Sequence, residues 1–344
     1  MTVELDSLAE LEPALAAEGF FGADGLVAHV YLGYRCGERL RRTTSPAPPE
    51  PCPLPAVAYR IERADARPAR AGSYRVGEWR RSWSDEGYAA AIEAVRAAIE
   101  RGDVYQVNLV QHLSASFAGD PRGLAAALAP LRPLEPAPLD GESWAIVSAS
   151  PELLLARRGR RLWTCPIKGT RPAGVPIESA KDDAEHVMIV DLERNDLSRV
   201  CEVGSVHWPE LLDEQQLAGV THLVSTVEGR LREDASLTDL LEAVFPGGSI
   251  TGAPKIAAID LIAALEPVGR GASMGALGRI YPNGDLELAL TIRTFAIAED
   301  RIHLWVGGGI VWDSEPAAEV EESWVKARPL LRAIGAPLPQ SVAS

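Results

Sequence analysis

The sequence predicts an α+β fold. Strand-like runs cluster at 104–167 and 277–312 with helical patterns between them, rather than alternating strand by helix. The dipeptide Asn283-Gly284 separates two such runs and marks a tight hairpin turn, which implies antiparallel pairing.

The elements follow in order. Residues 42–57 are rich in proline and read as an irregular loop, too short to link independent domains. Residues 85–101 read as a helix: Tyr88, Ile92, Val95 and Ile99 recur at helical spacing, Ser84 can cap it, Asp85 and Glu86 suit its first turn, and Gly102 can end it. Strands are expected at 104–113, 144–148 and 152–157, with a turn at Gly159 and a return strand at 162–167. Helical signals return at 178–193, 236–245 and 253–265. The hairpin about Asn283-Gly284 joins 277–281 to 286–298, a strand at 302–306 leads into Gly307-Gly308-Gly309, and a last helix covers 315–334. There is no internal repeat, and one domain over 1–344 is expected, with 1–80 as its N-terminal part and 81–335 as its core.

The 344 residues are 47% hydrophobic and 24% charged, ample to bury a core. No apolar run reaches about 18 residues, so no membrane partner is expected. Residues 1–12 are acidic and lack a signal pattern, which points to the cytoplasm. The net charge of −14 argues against nucleic acid as a partner. It also means that an anionic substrate needs a local cation or a metal. Cys36, Cys52, Cys165 and Cys201 form no CxxC pair, so they read as reduced thiols rather than a zinc site.

Five segments could carry chemistry, and each has a plain alternative. Lys168, between a strand run and Gly169-Thr170, could project into a cleft as a nucleophile if desolvated, or be a surface lysine beside a turn. Asp182 and Glu185 share a helix face and could hold Mg²⁺, or simply face solvent. Glu319, Glu322 and Lys326 share one stripe of the last helix, opposite the apolar stripe Val320, Trp324, Ala327 and Leu331, with the same two readings. The glycine-rich loop 245–255 leads to a helix with Pro254 in its first turn, a start that suits an anion or a tight structural turn; its spacing is not that of a Walker loop. Arg293, inside an apolar strand, needs an anionic partner, and Gly307 to Gly309 allow close backbone approach.

Taken together, the segments resemble the chorismate-utilising enzymes. The resemblance is carried by GDVYQVNL at 102–109, SASPELLL at 148–155, PIKGTRPAG at 166–174, AEHVMIVDLERNDLSRVCEVGSV at 184–206, THLVSTVEGRL at 221–231, FPGGSITGAPK at 245–255, and the run from LTIRTFAI at 290–297 to 328. They occur in one order across about 230 residues. The resemblance implies two stacked, mainly antiparallel sheets surrounded by helices, and one Mg²⁺ linking the protein to a chorismate carboxylate. Glu185 and Glu322 match the metal-linked carboxylates, with Asp182 and Glu319 supporting them. Gly169, Thr170, Thr251, Arg293, Gly307, Gly309 and Lys326 match substrate-facing positions, and His222 a histidine near the departing groups.

Within the family two positions discriminate. Isochorismate and salicylate synthases place a water-activating lysine where this chain has Gln106, whose amide accepts no proton at neutral pH. Anthranilate synthases read PIAGT where this chain, like the aminodeoxychorismate synthases, reads PIKGT. The resemblance therefore implies amination at carbon 4 of chorismate with Lys168 as covalent nucleophile and Glu152 as general acid and base. Ammonia would come from a separate class I glutaminase subunit. The alternatives are anthranilate synthase component I or a related aminating enzyme, and a non-catalytic chorismate-binding protein. The N-terminal side is shorter than usual and shows no tryptophan-pocket signature, so no tryptophan feedback is expected; a position commonly Tyr aligns with Ser273 or Met274.

Overall fold

Both clusters of strand-like runs pair antiparallel, and each cluster contributes to two sheets. The computed structural model describes residues 1–67, 69–172, 180–217 and 220–337, with the side chains of 168–172, 180–184, 215–217 and 220–222 outside that description. Among the described residues, the first sheet has ten strands in the order Val3–Leu5, Val57–Arg63, Leu26–Leu32, Ala276–Ile280, Leu286–Leu290, Leu153–Arg158, Arg161–Cys165, Val220–Arg230 and Ile167–Pro172, with His207–Leu217 also paired to Val220–Arg230. The second has eight: Gly252–Ala253, Gln106–Gly119, Arg301–Ile310, Thr294–Ala298, Trp144–Ser148 and Leu139–Asp140, with Tyr74–Val76 and Arg80–Arg81 on the flank of Gln106–Gly119.

The sheets face one another across a shared core. Val30 and Leu32 of the first meet Val110, Ile146, Ala296 and Trp305 of the second. Side chains alternate along a strand, so Leu113, Val147, Phe295 and Leu304 belong to the opposite face of the second sheet. The helix Pro316–Ala333 covers that face with Trp324, Ala327 and Leu331. Helices Asp85–Glu100 and Lys255–Leu265 cover Val107, Leu109 and Ile310 with Ile92, Val95 and Ile262. The helix starts obey local rules: Ser84 accepts from Gly87 N at 3.1 Å, and Ser236 and Asp239 form a reciprocal capping box on Leu237–Val244.

The α+β expectation holds, and the local patterns at 85–101, 144–148 and Gly159 are realised within a residue or so. Three readings change. The run 286–298 is two strands, Leu286–Leu290 in the first sheet and Thr294–Ala298 in the second, so Arg293 lies at a crossover with φ 51° and not inside a strand. Pro254 is the N-cap of Lys255–Leu265, ahead of its first turn. The strand at 302–306 runs on through the glycines to Ile310, pairing Gly307 with Val110 and Gly309 with Asn108.

Gly307 marks a real steric constraint. A Cβ there would lie 1.8 Å from the Leu109 carbonyl oxygen, so backbone would have to move. Gly307→Ala is expected to destabilise the fold by about 1–3 kcal/mol, read as a lower urea midpoint with unchanged slope. An unchanged midpoint would mean that the two strands separate freely at this point.

A buried histidine pair makes stability depend on acid. His112 Nε2 is 2.9 Å from His303 Nδ1, and Ser82 Oγ is 2.6 Å from His112 Nδ1. Burial, then the neighbouring His303 and Arg301, push His112 down to about 3, and burial, then Arg301, push His303 to about 4. The unfolded chain takes up these protons below pH about 6.5 while the native chain does not, so stability rises with pH across this window. The contribution is fully present above about 6.5 and is lost as pH falls towards 4 and 3. The urea midpoint should therefore drop between pH 7 and pH 5, and His303→Phe should flatten that drop. An equal drop in the variant would assign the acid sensitivity to other groups.

Candidate active site

Two chain segments cross from one sheet to the other side by side, and they carry Glu152 and Arg293. Residues 149–152 link Trp144–Ser148 to Leu153–Arg158, and residues 291–293 link Leu286–Leu290 to Thr294–Ala298. Ala149 N donates to Arg293 O at 3.0 Å and Leu290 N donates to Glu152 O at 2.9 Å, which locks the crossovers together. Arg293 holds a left-handed backbone that non-glycine residues seldom adopt, a strain typical of sites whose surroundings over-determine them. Burial pushes its guanidinium below the ordinary value, and the Glu152 carboxylate works against that fall. Glu152 is itself buried, and Ser249 of the glycine-rich loop donates to its Oε1 at 2.8 Å.

That loop is fastened from below. Thr251 donates its hydroxyl to Gly247 O at 2.8 Å, and its own carbonyl accepts from Asn108 N at 2.8 Å. Thr251 thus shapes the loop, and only its oxygen lone pairs are left for a ligand. Beneath lies a buried ion pair: Arg270 donates to Ile250 O at 2.8 Å and Asn108 O at 2.6 Å, and its Nη2 is 2.7 Å from Glu266 Oε1. Glu266 in turn accepts from Val110 N at 3.1 Å. Met274, one of the two residues aligned with the position commonly Tyr, has φ 63° and touches Asn108 through its sulfur, while the buried hydroxyl of Ser273, the other, has no hydrogen-bond partner among the described residues.

A second group of residues gathers on the glycine strand. Lys326 donates to Gly307 O at 2.9 Å and pairs with Glu322 at 2.7 Å. Glu322 Oε1 and Glu319 Oε2 would lie 3.4 and 3.6 Å from a Cβ at Gly308, so both carboxylates converge on that backbone. Glu319 is buried, whereas Glu322 is about half exposed and opens outwards. Gln106 is fully buried, its amide nitrogen and oxygen are without partners among the described residues, and its Nε2 would lie 2.1 Å from a Cβ at Gly309. Only glycine leaves room for that amide.

The helix Ala180–Ser198 closes the arrangement. It packs on Ile167–Pro172, Val220–Arg230 and the turn Gly248–Ile250. Glu185 stands half-buried on it. The side chains of Lys168, Thr170, Asp182 and His222, with Gly169, lie outside the described residues; the backbone pairs Lys168 with Leu223. The carboxylate oxygens of Glu185, Glu319 and Glu322 are hard donors of the kind Mg²⁺ takes, and Glu319 and Glu322 already converge. Among the described residues, no group of three or more His, Cys, Asp or Glu forms a complete metal cage.

Several residues of this region escaped sequence reasoning: Ser249, Glu193, and the Arg270–Glu266 pair. Glu193 left a signal. Ile189, Glu193 and Leu197 lie four apart, so a carboxylate sits in the middle of a buried helical stripe. A separate cavity of about 420 Å³, lined by Glu4, Tyr31, Arg35, Glu50 and Trp144, shares none of these residues. No described helix is long and apolar enough to cross a membrane.

The same site elements lie within a stretch shared with known proteins. The family model described as chorismate binding enzyme matches residues 31–332. The chain is similar to anthranilate synthase component 1 of Thermus thermophilus, 43% identical over 278 residues that cover 76% of this chain and 60% of that protein. It is similar to aminodeoxychorismate synthase component 1 of Bacillus subtilis, 38% identical over 296 residues that cover 82% of this chain and 60% of that protein. The matched stretch thus spans about 60% of the length of these relatives. The crystal structure of anthranilate synthase component I from Streptococcus pneumoniae superposes with a TM-score of 0.82 at 26% identity, over 95% of this chain and 86% of that one.

Proposed function

Because the chain belongs to the chorismate-binding enzyme family, we propose that it replaces the 4-hydroxyl of chorismate with an amino group, as an aminodeoxychorismate synthase component I. The observation that carries this reading is Lys168 in PIKGT, the form the resemblance gives for aminodeoxychorismate synthases where it gives PIAGT for anthranilate synthases. The Lys168 amine attacks carbon 2 of chorismate and both ring double bonds shift, from carbons 1–2 to 1–6 and from 5–6 to 4–5. The carbon 4 hydroxyl leaves with a proton from Glu152. Ammonia then adds at carbon 4, the bonds shift back and the lysine departs. Covalent catalysis of this kind divides one hard displacement into two easier ones.

The surrounding groups support the same reading. Arg293 beside Glu152, with Lys326 at the glycine strand, offsets the two substrate carboxylates in a chain of net charge −14. Amides at Gly169, Thr170, Gly307 and Gly309 allow close approach, Thr251 holds the loop, and His222 lies by sequence match near the departing groups. Glu185 and Glu322, assisted by Asp182 and Glu319, would hold Mg²⁺, whose charge would neutralise the ring carboxylate. Gln106 supplies no base for water, which favours ammonia as the nucleophile. Ammonia is proposed to come from a class I glutaminase subunit, and the reaction to run in the cytoplasm.

Anthranilate synthesis is the second reading, favoured by the 43% identity to the Thermus thermophilus protein. The test is purified chain with chorismate, Mg²⁺ and ammonium, followed by an added aminodeoxychorismate lyase. The proposal expects 4-aminobenzoate only after the lyase is added. Anthranilate without the lyase would replace it with the second reading.

A further inference from the structure

We propose that Ser249 is a positioning residue for the acid of the proposed reaction: its hydroxyl fixes the Glu152 carboxyl so that Oε2 carries the proton to the carbon 4 oxygen. This deepens the reading above and rests on its assignment of Glu152.

Glu152 is held at three atoms. Its N donates to Ser150 Oγ at 3.3 Å, its O accepts from Leu290 N at 2.9 Å, and its Oε1 accepts from Ser249 Oγ at 2.8 Å. The first two bonds fix the backbone of the crossover. Ser150 N in turn donates to Ser148 Oγ at 3.1 Å, and Ser148 Oγ lies 2.8 Å from Thr294 Oγ1. The third bond sets the plane of the carboxyl. Glu152 and Ser249 are 5% and 4% exposed, so water competes little for it. Ser249 comes from the glycine-rich loop, which is anchored on both sides of it: Thr251 donates to Gly247 O, and Arg270 donates to Ile250 O. A Cβ on Gly247 would lie 3.1 Å from the Leu154 and Leu290 side chains, and one on Gly248 2.8 Å from that of Leu192. The turn Gly248–Ile250 is therefore seated closely against its neighbours, and the Ser249 hydroxyl reaches Glu152 from a fixed point.

Oε1 serves as acceptor for Ser249, so in the acid form the proton sits on Oε2. That proton passes to the carbon 4 oxygen as the carbon–oxygen bond breaks; the electron pair of the bond stays on oxygen and water leaves. The ammonium formed when ammonia adds at carbon 4 returns a proton to Glu152, so protons balance over the cycle. A general acid acts within hydrogen-bond reach of its target, and a carboxyl free to rotate is aligned less often. A hydroxyl that donates to a carboxylate also favours the ionised form. Removing it therefore holds the proton on Glu152 to higher pH while loosening its aim. Arg293 and Glu193 are described charged groups that act on Glu152, and both stay in place when Ser249 changes.

The test compares wild type, Ser249→Ala and Ser249→Thr by chorismate consumption from pH about 5 to 9.5, with free ammonia held constant and urea midpoints showing that each is folded. Ser249→Ala should lower kcat by at least about tenfold with KM for chorismate nearly unchanged. It should also move one limb of the pH–rate profile towards higher pH by about half a unit or more. Ser249→Thr, which keeps the hydroxyl, should keep both limbs. A uniform loss in Ser249→Ala with unmoved limbs would make Ser249 merely part of the loop, and a raised KM with unchanged kcat would make it a substrate contact; either overturns the positioning role. Glu152→Gln, measured alongside, separates this inference from the reading beneath it. Normal turnover there ends the acid role of Glu152, whereas lost turnover there with Ser249→Ala at the wild-type rate ends the positioning role alone. Product identity is read separately: anthranilate would end the proposed function, but it too lacks the 4-hydroxyl, so the limbs still judge Ser249.

Discussion

Lys168→Ala is expected to remove most aminodeoxychorismate formation while leaving the fold intact. Lys168 lies in an edge strand, where its backbone pairs with Leu223 and a side-chain truncation removes no ladder bond. Without the amine, carbon 4 must be substituted in one step, and each tenfold loss of rate corresponds to about 1.4 kcal/mol of transition-state stabilisation. The loss should fall on kcat, because binding of the substrate carboxylates rests on other groups. Slow anthranilate formation should emerge, since the resemblance gives anthranilate synthases alanine at this position. Steady-state rates with product identification read both effects. Unchanged turnover in Lys168→Ala would remove the nucleophile role.

Glu322→Gln is expected to abolish activity or raise the Mg²⁺ concentration needed for half-maximal rate by more than about tenfold, or 1.4 kcal/mol. The carboxylate converges with Glu319 on Gly308, and the substitution exchanges one of its hard anionic oxygens for an amide of similar shape. The same change removes the anionic charge that faces Lys326 at 2.7 Å, while its bond to Gly307 O stays. A lysine with less of its charge offset attracts substrate more strongly, so KM for chorismate at saturating Mg²⁺ separates the two consequences. A normal metal response in this variant would dismiss Glu322 as a metal-linked residue.

The fold was legible where the signal is local. A turn dipeptide such as Asn283-Gly284, a cap such as Ser84, and the apolar spacing of Tyr88, Ile92 and Val95 are settled within a few residues. The crossovers were not legible. Whether 286–298 is one strand or two depends on which sheet each end joins, and Arg293 is not a residue type that announces a left-handed backbone. His207–Leu217 was hidden for another reason: Pro209 and its many polar residues read against a strand, and its pairing shifts register between His207 and Glu210. Leu26–Leu32 acquires meaning only by pairing with Val57–Arg63 on one side and, on the other, with Ala276–Ile280, more than two hundred residues away in sequence.

The site divides in the same way. Spacing put Glu319, Glu322 and Lys326 on one helical stripe, and the structure seats that stripe against Gly307 and Gly308. Spacing could not tell that stripe from a solvent face, because the deciding partner is a strand from elsewhere in the chain. Glu152, Arg293 and Ser249 meet only through the tertiary crossing, so the sequence could say that Arg293 needs an anionic partner but not which one. Glu193 was visible in principle, as a carboxylate on an apolar stripe, but its partner Thr164 was not.

The measurement that bears most directly on the proposed chemistry locates the new nitrogen. The purified chain is given chorismate, Mg²⁺ and nitrogen-15 ammonium, and the product is examined by mass spectrometry and carbon–nitrogen correlated NMR. The proposal predicts nitrogen-15 bonded to carbon 4, with the enolpyruvyl ether retained. Nitrogen at carbon 2 with loss of pyruvate, or oxygen at carbon 2 with no nitrogen incorporated, would contradict amination at carbon 4.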